Sequence, residues 1–181
     1  IDIDGKTVTA IAQEAFMGCS SLTNIALPWS IQIIGYSAFM GCSSLSYIYI
    51  PADVTAIGDM AFVACSSLTN IRIPTSVKSI GKDAFFNCVN LTKIIIPESV
   101  TSIGYSAFGS CSSLTIHCKS NTTAANYAKN NNILYEIDDN KPTCNITADK
   151  NSPTNASSII YRFTFSEEVT GFTKDDITVT N

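Results

Sequence analysis

A repeat of 23 residues constrains this chain more than any other feature of its sequence. Five phenylalanines and five cysteines recur at that interval. They are Phe16, Phe39, Phe62, Phe85 and Phe108, and Cys19, Cys42, Cys65, Cys88 and Cys111. A fixed period of roughly 20 to 50 residues is typical of solenoids, in which each unit buries its apolar side only by stacking on its neighbours. The sequence therefore predicts a stack of about five coils.

The composition excludes several classes of protein. The 181-residue chain is 45% hydrophobic and 14% charged, too apolar for an intrinsically disordered segment. Its formal net charge of -4 argues against nucleic acid or an anionic membrane as the partner, because both bind clustered positive charge. No apolar run reaches the roughly 18 residues of a membrane span, so we expect no membrane insertion. We see no targeting segment, and the incomplete first repeat leads us to expect a piece of something longer.

Each repeat divides into three short segments. The alternating apolar residues Leu68, Ile71 and Ile73 predict a half-buried strand that ends at a proline. A second extended stretch then leads to an Ile-Gly pair, whose glycine suits either a positive φ or close contact between coils. The following A-F-x-x-C segment is predicted to form a short helical or 3₁₀ turn, with the five phenylalanines stacked in the interior.

The repeat resembles a known family. Residues 1 to 118 are similar to the BspA-type leucine-rich repeats of bacterial and protozoan surface proteins, whose unit reads LxxIxIPxxVxxIGxxAFxxCxx. The resemblance implies a β-rich, right-handed leucine-rich repeat solenoid on a secreted or surface-anchored protein, often an adhesin. It carries over no catalytic residues, because the family motif is structural.

The end of the repeat array is visible as a change of pattern after residue 118. A helix from about Thr122 to Asn130 and a strand at Ile133 to Ile137 are expected to cover the last coil. The sequence thus predicts a solenoid over residues 1–137 with a C-terminal cap at about 120–137, and a polar linker at 138–142.

The remaining residues, 143–181, contain three β-prone runs at Cys144 to Ala148, Ile159 to Phe165 and Ile177 to Thr180. They resemble the first strands of a bacterial immunoglobulin-like domain. Such a sandwich needs about 100 residues, so we expect the chain to stop inside this domain. We expect the tail to pack on the cap or on another molecule, with self-association through the tail or an exposed coil edge.

The cysteines are predicted to be buried, reduced thiols. Five of the seven occupy one position in successive coils, where their Cβ vectors run parallel and do not converge. Cys118 and Cys144 fall outside this register, and a bridge between them stays an open alternative.

The sequence shows no reactive constellation. His117 is the single histidine, and its neighbour Cys118 is expected on the opposite side of the same strand, which separates the nearest nucleophile–base pair. Zinc-binding spacings and a spaced acidic calcium loop are missing, and we interpret Asp138–Asp139 and Asp175–Asp176 as solvated turn residues. We therefore predict no catalysis, no metal and no cofactor.

The outward side chains of the strands are the more informative positions. Alternation sends Asn24, Tyr47, Asn70 and Lys93 outward in one row, and Ala26, Tyr49, Arg72 and Ile95 in the next, which His117 extends. Tyrosine and arginine are enriched among binding hot spots. The candidate ligand-binding residues are Tyr47, Tyr49, Asn70, Arg72, Lys93, Ile95, His117 and Trp29, the last either exposed at the rim or packed on a neighbouring coil.

These observations favour a non-enzymatic, extracellular or cell-surface module that binds a host or matrix protein or a glycan through its strands. Two alternatives stay open. One is a structural spacer or assembly module, and the other is the accessory recognition module of a larger secreted enzyme.

Overall fold

A computed structural model describes residues 2–3, 6–138, 144–148 and 161–165. Its strands, in chain order, are β1 Asp2–Ile3, β2 Lys6–Thr7, β3 Ala10–Ile11, β4 Asn24–Ile25, β5 Ile33–Ile34, β6 Tyr47–Ile48, β7 Ala56–Ile57, β8 Asn70–Arg72, β9 Ser79–Ile80, β10 Lys93–Ile95, β11 Ser102–Ile103, β12 Thr115–Cys118, β13 Leu134–Ile137, β14 Cys144–Ala148 and β15 Tyr161–Phe165. The helix α1 spans Thr123–Asn130. No helix in the described part of the chain is long and apolar enough to cross a membrane.

Successive coils stack in parallel, which confirms the predicted leucine-rich repeat solenoid. On one side of the stack, β8, β10, β12 and β13 form a parallel sheet, and β4 pairs in parallel with β6. On the other side, β3, β5, β7, β9 and β11 form a second parallel sheet from the second extended stretch of each repeat. The apolar side chains between these strands are buried, including Leu68, Ile71 and Ile73.

The repeated glycines mark the closest approach between coils. A Cβ atom on Gly58 would lie 2.7 Å from the carbonyl carbon of Gly35, and one on Gly81 would lie 2.4 Å from the backbone nitrogen of Asp59. Neither glycine has a positive φ. Close contact is therefore the reason for glycine here, and the alternative of a positive φ is wrong.

The A-F-x-x-C segments are chains of tight turns, which corrects the expected helical or 3₁₀ turns. Each contains a left-handed residue before the alanine, such as Ser37 at φ 49° and Met60 at φ 57°, and a second one before the cysteine. Between them, hydrogen bonds link residues three apart, for example Cys42 N–H to the Phe39 carbonyl at 3.1 Å.

The left-handed residues have a physical reason. In a helix the N–H groups point along the helix axis and donate to carbonyls of the same helix. Here alternate N–H groups point to the next coil: Ser37, Phe39 and Gly41 donate to the carbonyls of Asp59, Ala61 and Val63 at 2.8–3.0 Å. The turn side of the solenoid is thus hydrogen-bonded from coil to coil, as a helical turn could not be.

The phenylalanines form the expected interior stack. Neighbouring rings lie 5.1 to 5.4 Å apart between centroids, with interplanar angles of 2° to 12°. Phe39, Phe62, Phe85 and Phe108 are buried, whereas Phe16, with a stacked ring on one side only in the described residues, is half-buried. Ring stacking and burial of apolar surface therefore both stabilise the fold at these phenylalanines.

The C-terminal cap is a modified sixth coil, one more than the five we expected. Helix α1 begins after Thr122, whose hydroxyl accepts a hydrogen bond from Ala125 N–H at 3.3 Å, so the predicted capping helix is confirmed. Tyr127 sets its ring edge-on against Phe108 at 5.7 Å and 80°. Strand β13 then pairs in parallel with β12. The 23-residue pattern does not mark this coil, because a helix replaces its turns.

The chain divides into two compact units, Ile1–Asp139 and Asn140–Asn181. In the second unit, β14 and β15 pair antiparallel from Cys144↔Phe165 to Ala148↔Tyr161. These strands agree with two of the β-prone runs. The run at Ile177 to Thr180, the Asp175–Asp176 pair and the predicted packing or strand exchange of the tail lie outside the described residues.

The Phe62→Ala variant tests the ring stack. Its ring lies between Phe39 at 5.3 Å and Phe85 at 5.1 Å, and is fully buried. We expect the free energy of unfolding to fall by about 3 to 5 kcal/mol, measured by urea denaturation. The control is Tyr105→Ala, whose ring is 78% exposed and should cost about 1 kcal/mol or less. Equal losses in the two variants would contradict an interior stack.

Candidate functional site

The strand face, which we define as the outward side chains of β4, β6, β8, β10, β12 and β13 and the residues that continue their rows, carries the candidate site. Its first row contains Asn24 opposite Tyr47, and then Asn70, Lys93, Thr115 and Leu134 in register. Its second row places Arg72 opposite Ile95, Ile95 opposite His117, and His117 opposite Glu136. Parallel pairing therefore aligns residues 22 or 23 apart in the repeats, and 19 apart in the step from β12 to β13, into rows whose members lie about 4.8 Å apart.

The first of two grooves on this face is aromatic, and we call it the tyrosine groove. It has a volume of about 310 Å³ and is lined by Tyr47, Tyr49, Asn70, Arg72 and Pro74, among others. Tyr47 and Tyr49 are 55% and 60% exposed. Tyr47 lies in β6 and Tyr49 directly follows it, and the intervening Ile48 is buried, so both side chains are fixed at their base and their rings are open to a ligand.

The second groove, which we call the histidine groove, shares Arg72 with the first. It has a volume of about 610 Å³ and is also lined by Ile95, Pro97, His117, Lys119 and Asp138. Lys119 Nζ lies 3.5 Å from Glu98 Oε1, an ion pair at the side of the groove. Arg72 thus connects an aromatic half of the strand face with a more polar half.

His117 is held between two carboxylates. Its Nδ1 lies 3.3 Å from Asp138 Oδ2 and 3.5 Å from Glu136 Oε2, and the histidine side chain is only 12% exposed. Cys118 is buried on the opposite side of β12, as alternation along a strand requires. The two carboxylates hold the imidazole in place on the strand face, and neither of them is a hydroxyl or thiol nucleophile. In the described residues, no group of three or more His, Cys, Asp or Glu side chains could hold a metal ion.

The structure brings most of the predicted residues together. Tyr47, Tyr49, Asn70 and Arg72 share one groove, and Arg72, Ile95 and His117 share the other. Lys93 is exposed in the first row, between Asn70 and Thr115. Trp29 is 76% exposed, so of its two expected placements it is exposed and not packed on a neighbouring coil. It lines neither groove.

Sequence reasoning did not connect Glu136 or Asp138 with His117: Glu136 was not considered, and Asp138 was interpreted as a solvated turn residue, which its 57% exposure fits. Glu136 joins the second row because β13 pairs with β12, and Asp138 follows it, with its N–H donating to the Cys118 carbonyl at 2.8 Å. The distance from His117 to Glu136 along the chain is 19 residues and not 23, so the repeat period does not align them. The signal that could have found them is the predicted cap strand, paired in parallel with the strand before it.

The thiol ladder, Cys19, Cys42, Cys65, Cys88 and Cys111, is a second place where chemistry could occur, and burial makes all of its thiols except Cys19 unreactive. Cys65 Sγ donates to the Phe39 carbonyl at 3.2 Å, and Cys88 Sγ donates to the Phe62 carbonyl at 3.1 Å. Desolvation by burial raises the pKa of Cys65 from 9.0 to about 12, and the neighbouring Cys42 thiol adds to the rise. Burial also raises the pKa of Cys88 and, to about 11, the pKa of Cys111.

Most of the ladder therefore matches the prediction of buried, reduced thiols. Cys42, Cys65, Cys88 and Cys111 are free and buried, whereas Cys19 is free and exposed. The open alternative of a bridge between Cys118 and Cys144 stays a prediction, because Cys144 is described only by its place in β14.

Two family profiles match the chain. Residues 1–134 match the BspA type leucine rich repeat region, in six copies. Residues 138–181 match a bacterial Ig-like domain. No curated protein matches the chain.

Solved structures with the same repeat include three bacterial proteins. A leucine-rich repeat protein of T. pallidum is 40% identical, with a TM-score of 0.62 over 64% of this chain and 54% of its own. One from Bacteroides ovatus is 40% identical, with a TM-score of 0.60 over 64% of this chain and 30% of its own. A leucine rich cell surface protein of Faecalibacterium prausnitzii is 35% identical, with a TM-score of 0.62 over 69% of this chain and 33% of its own.

The chain belongs to the BspA-type leucine-rich repeat family, with a bacterial Ig-like segment after its repeats. It spans only 54%, 30% and 33% of the length of those three relatives. The family is generally non-enzymatic, and its members are typically found at the cell surface or outside the cell. Family membership therefore favours an extracellular recognition module over an enzyme.

Thiol labelling tests the ladder. At mildly alkaline pH, iodoacetamide should modify Cys19 quickly and leave Cys65 unmodified until the protein unfolds, because the thiolate is the nucleophile and Cys65 is buried. Peptide mass spectrometry gives both rates in one sample, with Cys19 as the matched control. Equal rates at Cys19 and Cys65 would show that the coils open readily.

The same pKa shift gives a pH dependence with a defined sign. Between about pH 9 and pH 12, the Cys65 thiol keeps its proton in the folded state and loses it in the unfolded state. The free energy of unfolding should therefore fall as pH rises through this window, by up to about 1.4 kcal/mol per pH unit for each such thiol. Urea denaturation at several alkaline pH values, compared with a Cys65→Ala variant, measures the slope.

Proposed function

We propose that this chain is the recognition part of an extracellular or cell-surface protein, and that it binds a host or matrix protein or a glycan, as an adhesin does, through the strand face. The observation that carries the proposal is the convergence of Tyr47, Tyr49, Asn70 and Arg72 on one groove. Residues of these types provide large contact areas and directional polar groups, and tyrosine and arginine are frequent hot spots of binding.

The rigidity of the scaffold supports the proposal. The side chains of the strand face stand on strands whose neighbours are hydrogen-bonded in fixed register and whose opposite sides are buried. A preformed surface loses little conformational entropy when a ligand binds, so a small number of good contacts suffices. The description of the Faecalibacterium prausnitzii relative as a cell surface protein is consistent with this role.

A binding screen tests the proposal. The chain is applied to arrays of matrix proteins and of glycans, beside a variant with Tyr47→Ala, Tyr49→Ala and Arg72→Ala. We expect a ligand whose affinity falls by at least about tenfold in this variant, because it removes two aromatic contacts and one cation.

The matched control carries Tyr36→Ala, Tyr105→Ala and Lys82→Ala. These are again two exposed tyrosines and one exposed cation, on the turn side of the coils, away from the strand face. Circular dichroism confirms that both variants are folded. A ligand that the control loses and the strand-face variant retains would refute the proposal, and the absence of any ligand on both arrays would favour the spacer alternative.

A further inference from the structure

The second row of the strand face carries charges of opposite sign at its two ends. Arg72, Ile95, His117 and Glu136 are successive partners across β8, β10, β12 and β13. Neighbouring parallel strands lie about 4.8 Å apart, so Arg72 and Glu136 are about 14 Å apart along the row. The row thus runs from a cation, over an apolar side chain, to an acidic end.

At the basic end, Arg72 is an uncompensated charge. In the described part of the chain no carboxylate lies within ion-pair distance of its guanidinium, whereas the other cation of the histidine groove, Lys119, is paired with Glu98. A guanidinium offers planar, paired donors that match a carboxylate. Because both grooves open at Arg72, a ligand carboxylate can reach it from the strand face.

At the acidic end, His117 does not neutralise its neighbours. Glu136 and Asp138 together carry two negative charges, and one imidazole carries at most one positive charge. The cluster therefore has a net negative charge whether or not His117 is protonated. The side chains of Glu136 and Asp138 are 65% and 57% exposed, so both are accessible to a ligand cation.

We infer that the strand face binds an extended polypeptide segment that crosses the strands, with an acidic and a basic side chain four residues apart. An extended chain advances about 3.3 Å per residue, so four residues cover about 13 Å, and alternate side chains point to the same side. The acidic side chain contacts Arg72, the side chain two residues on is apolar and lies over Ile95, and the basic one contacts Glu136 and Asp138.

This inference rests on the proposed function, since it names the ligand class of the same surface. Charge complementarity selects polypeptide over an acidic glycan. A polymer that carries only negative charges would be attracted at Arg72 and repelled at Glu136 and Asp138, whereas a polypeptide supplies both signs at a suitable spacing. The tyrosine groove, beyond Arg72, accommodates the preceding side chains of the segment.

Three fluorescent nine-residue peptides test the inference against the full 181-residue chain. The first has glutamate, leucine and lysine at alternate positions with serine between them. The second has the same composition but places glutamate beside lysine. The third replaces the glutamate of the first with a second lysine. Each is made in both chain directions, because side-chain contacts alone do not fix the direction.

The native chain should bind the first peptide about tenfold more tightly than the second or third, as measured by fluorescence anisotropy at low ionic strength. The Arg72→Glu variant makes both ends of the row acidic, so it should prefer the third peptide to the first. This gain of binding cannot come from misfolding. The control Lys78→Glu reverses another exposed cation, which precedes β9 on the second sheet, and should leave the order of affinities unchanged.

Absence of binding, equal binding of the first two peptides, or an unchanged preference in Arg72→Glu would overturn the inference. These failures are distinct from failure of the proposed function. Suppose that the Tyr47, Tyr49 and Arg72 variant loses an array ligand, and that this ligand is a glycan or is not displaced by the first peptide. Recognition through the strand face would then stand, and the inference of a polypeptide ligand would be refuted.

Discussion

Parallel stacking of coils in a fixed register is the constraint on which the rest of this structure depends. It acts through backbone hydrogen bonds on both sides of the solenoid, such as Phe62 N–H to the Ala84 carbonyl at 2.7 Å and Gly58 N–H to the Ile34 carbonyl at 2.8 Å. The phenylalanine rings stack at the same repeat. Each coil alone has little interior of its own, so stability comes from the contacts between neighbours. Glycine at the corner is required because those backbones meet.

Much of the fold could be predicted from the sequence, because stacking requires the same residue types at the equivalent buried positions of each coil. A buried position tolerates few residue types, so Phe62, Cys65 and Leu68 recur with their equivalents and reveal the period. The same argument predicted which strand residues point outward, since alternation fixes the side of Tyr47 once Ile48 is buried. Helix α1 was predictable for a local reason, its capping threonine and alanine-rich body.

The features that could not be predicted depend on contacts between segments. Ser37 and Met60 adopt positive φ because the next coil accepts their N–H groups, although neither residue type favours the left-handed region. The helix and strand of the sixth coil were predicted as a cap, but they were not recognised as a coil in register with the others, because the helix replaces the repeated motif. Glu136 and Asp138 were not connected with His117 for the same reason: their place beside His117 follows from the pairing of β13 with β12, and not from the repeat period.

The division between buried and outward positions also explains how one scaffold can serve recognition. Stability depends on the residues that repeat, whereas the outward residues differ from coil to coil and can change without disturbing the register. Coils with neighbours on both sides are held most firmly, because each receives hydrogen bonds and ring contacts from two directions. The tyrosine groove lies across such coils, and the histidine groove extends from them to Asp138 of the sixth coil, whereas Phe16 and Cys19 in the first coil are less buried. The strand face is therefore most rigid where Tyr47, Tyr49 and Arg72 lie, and a binding surface gains most from rigidity at that place.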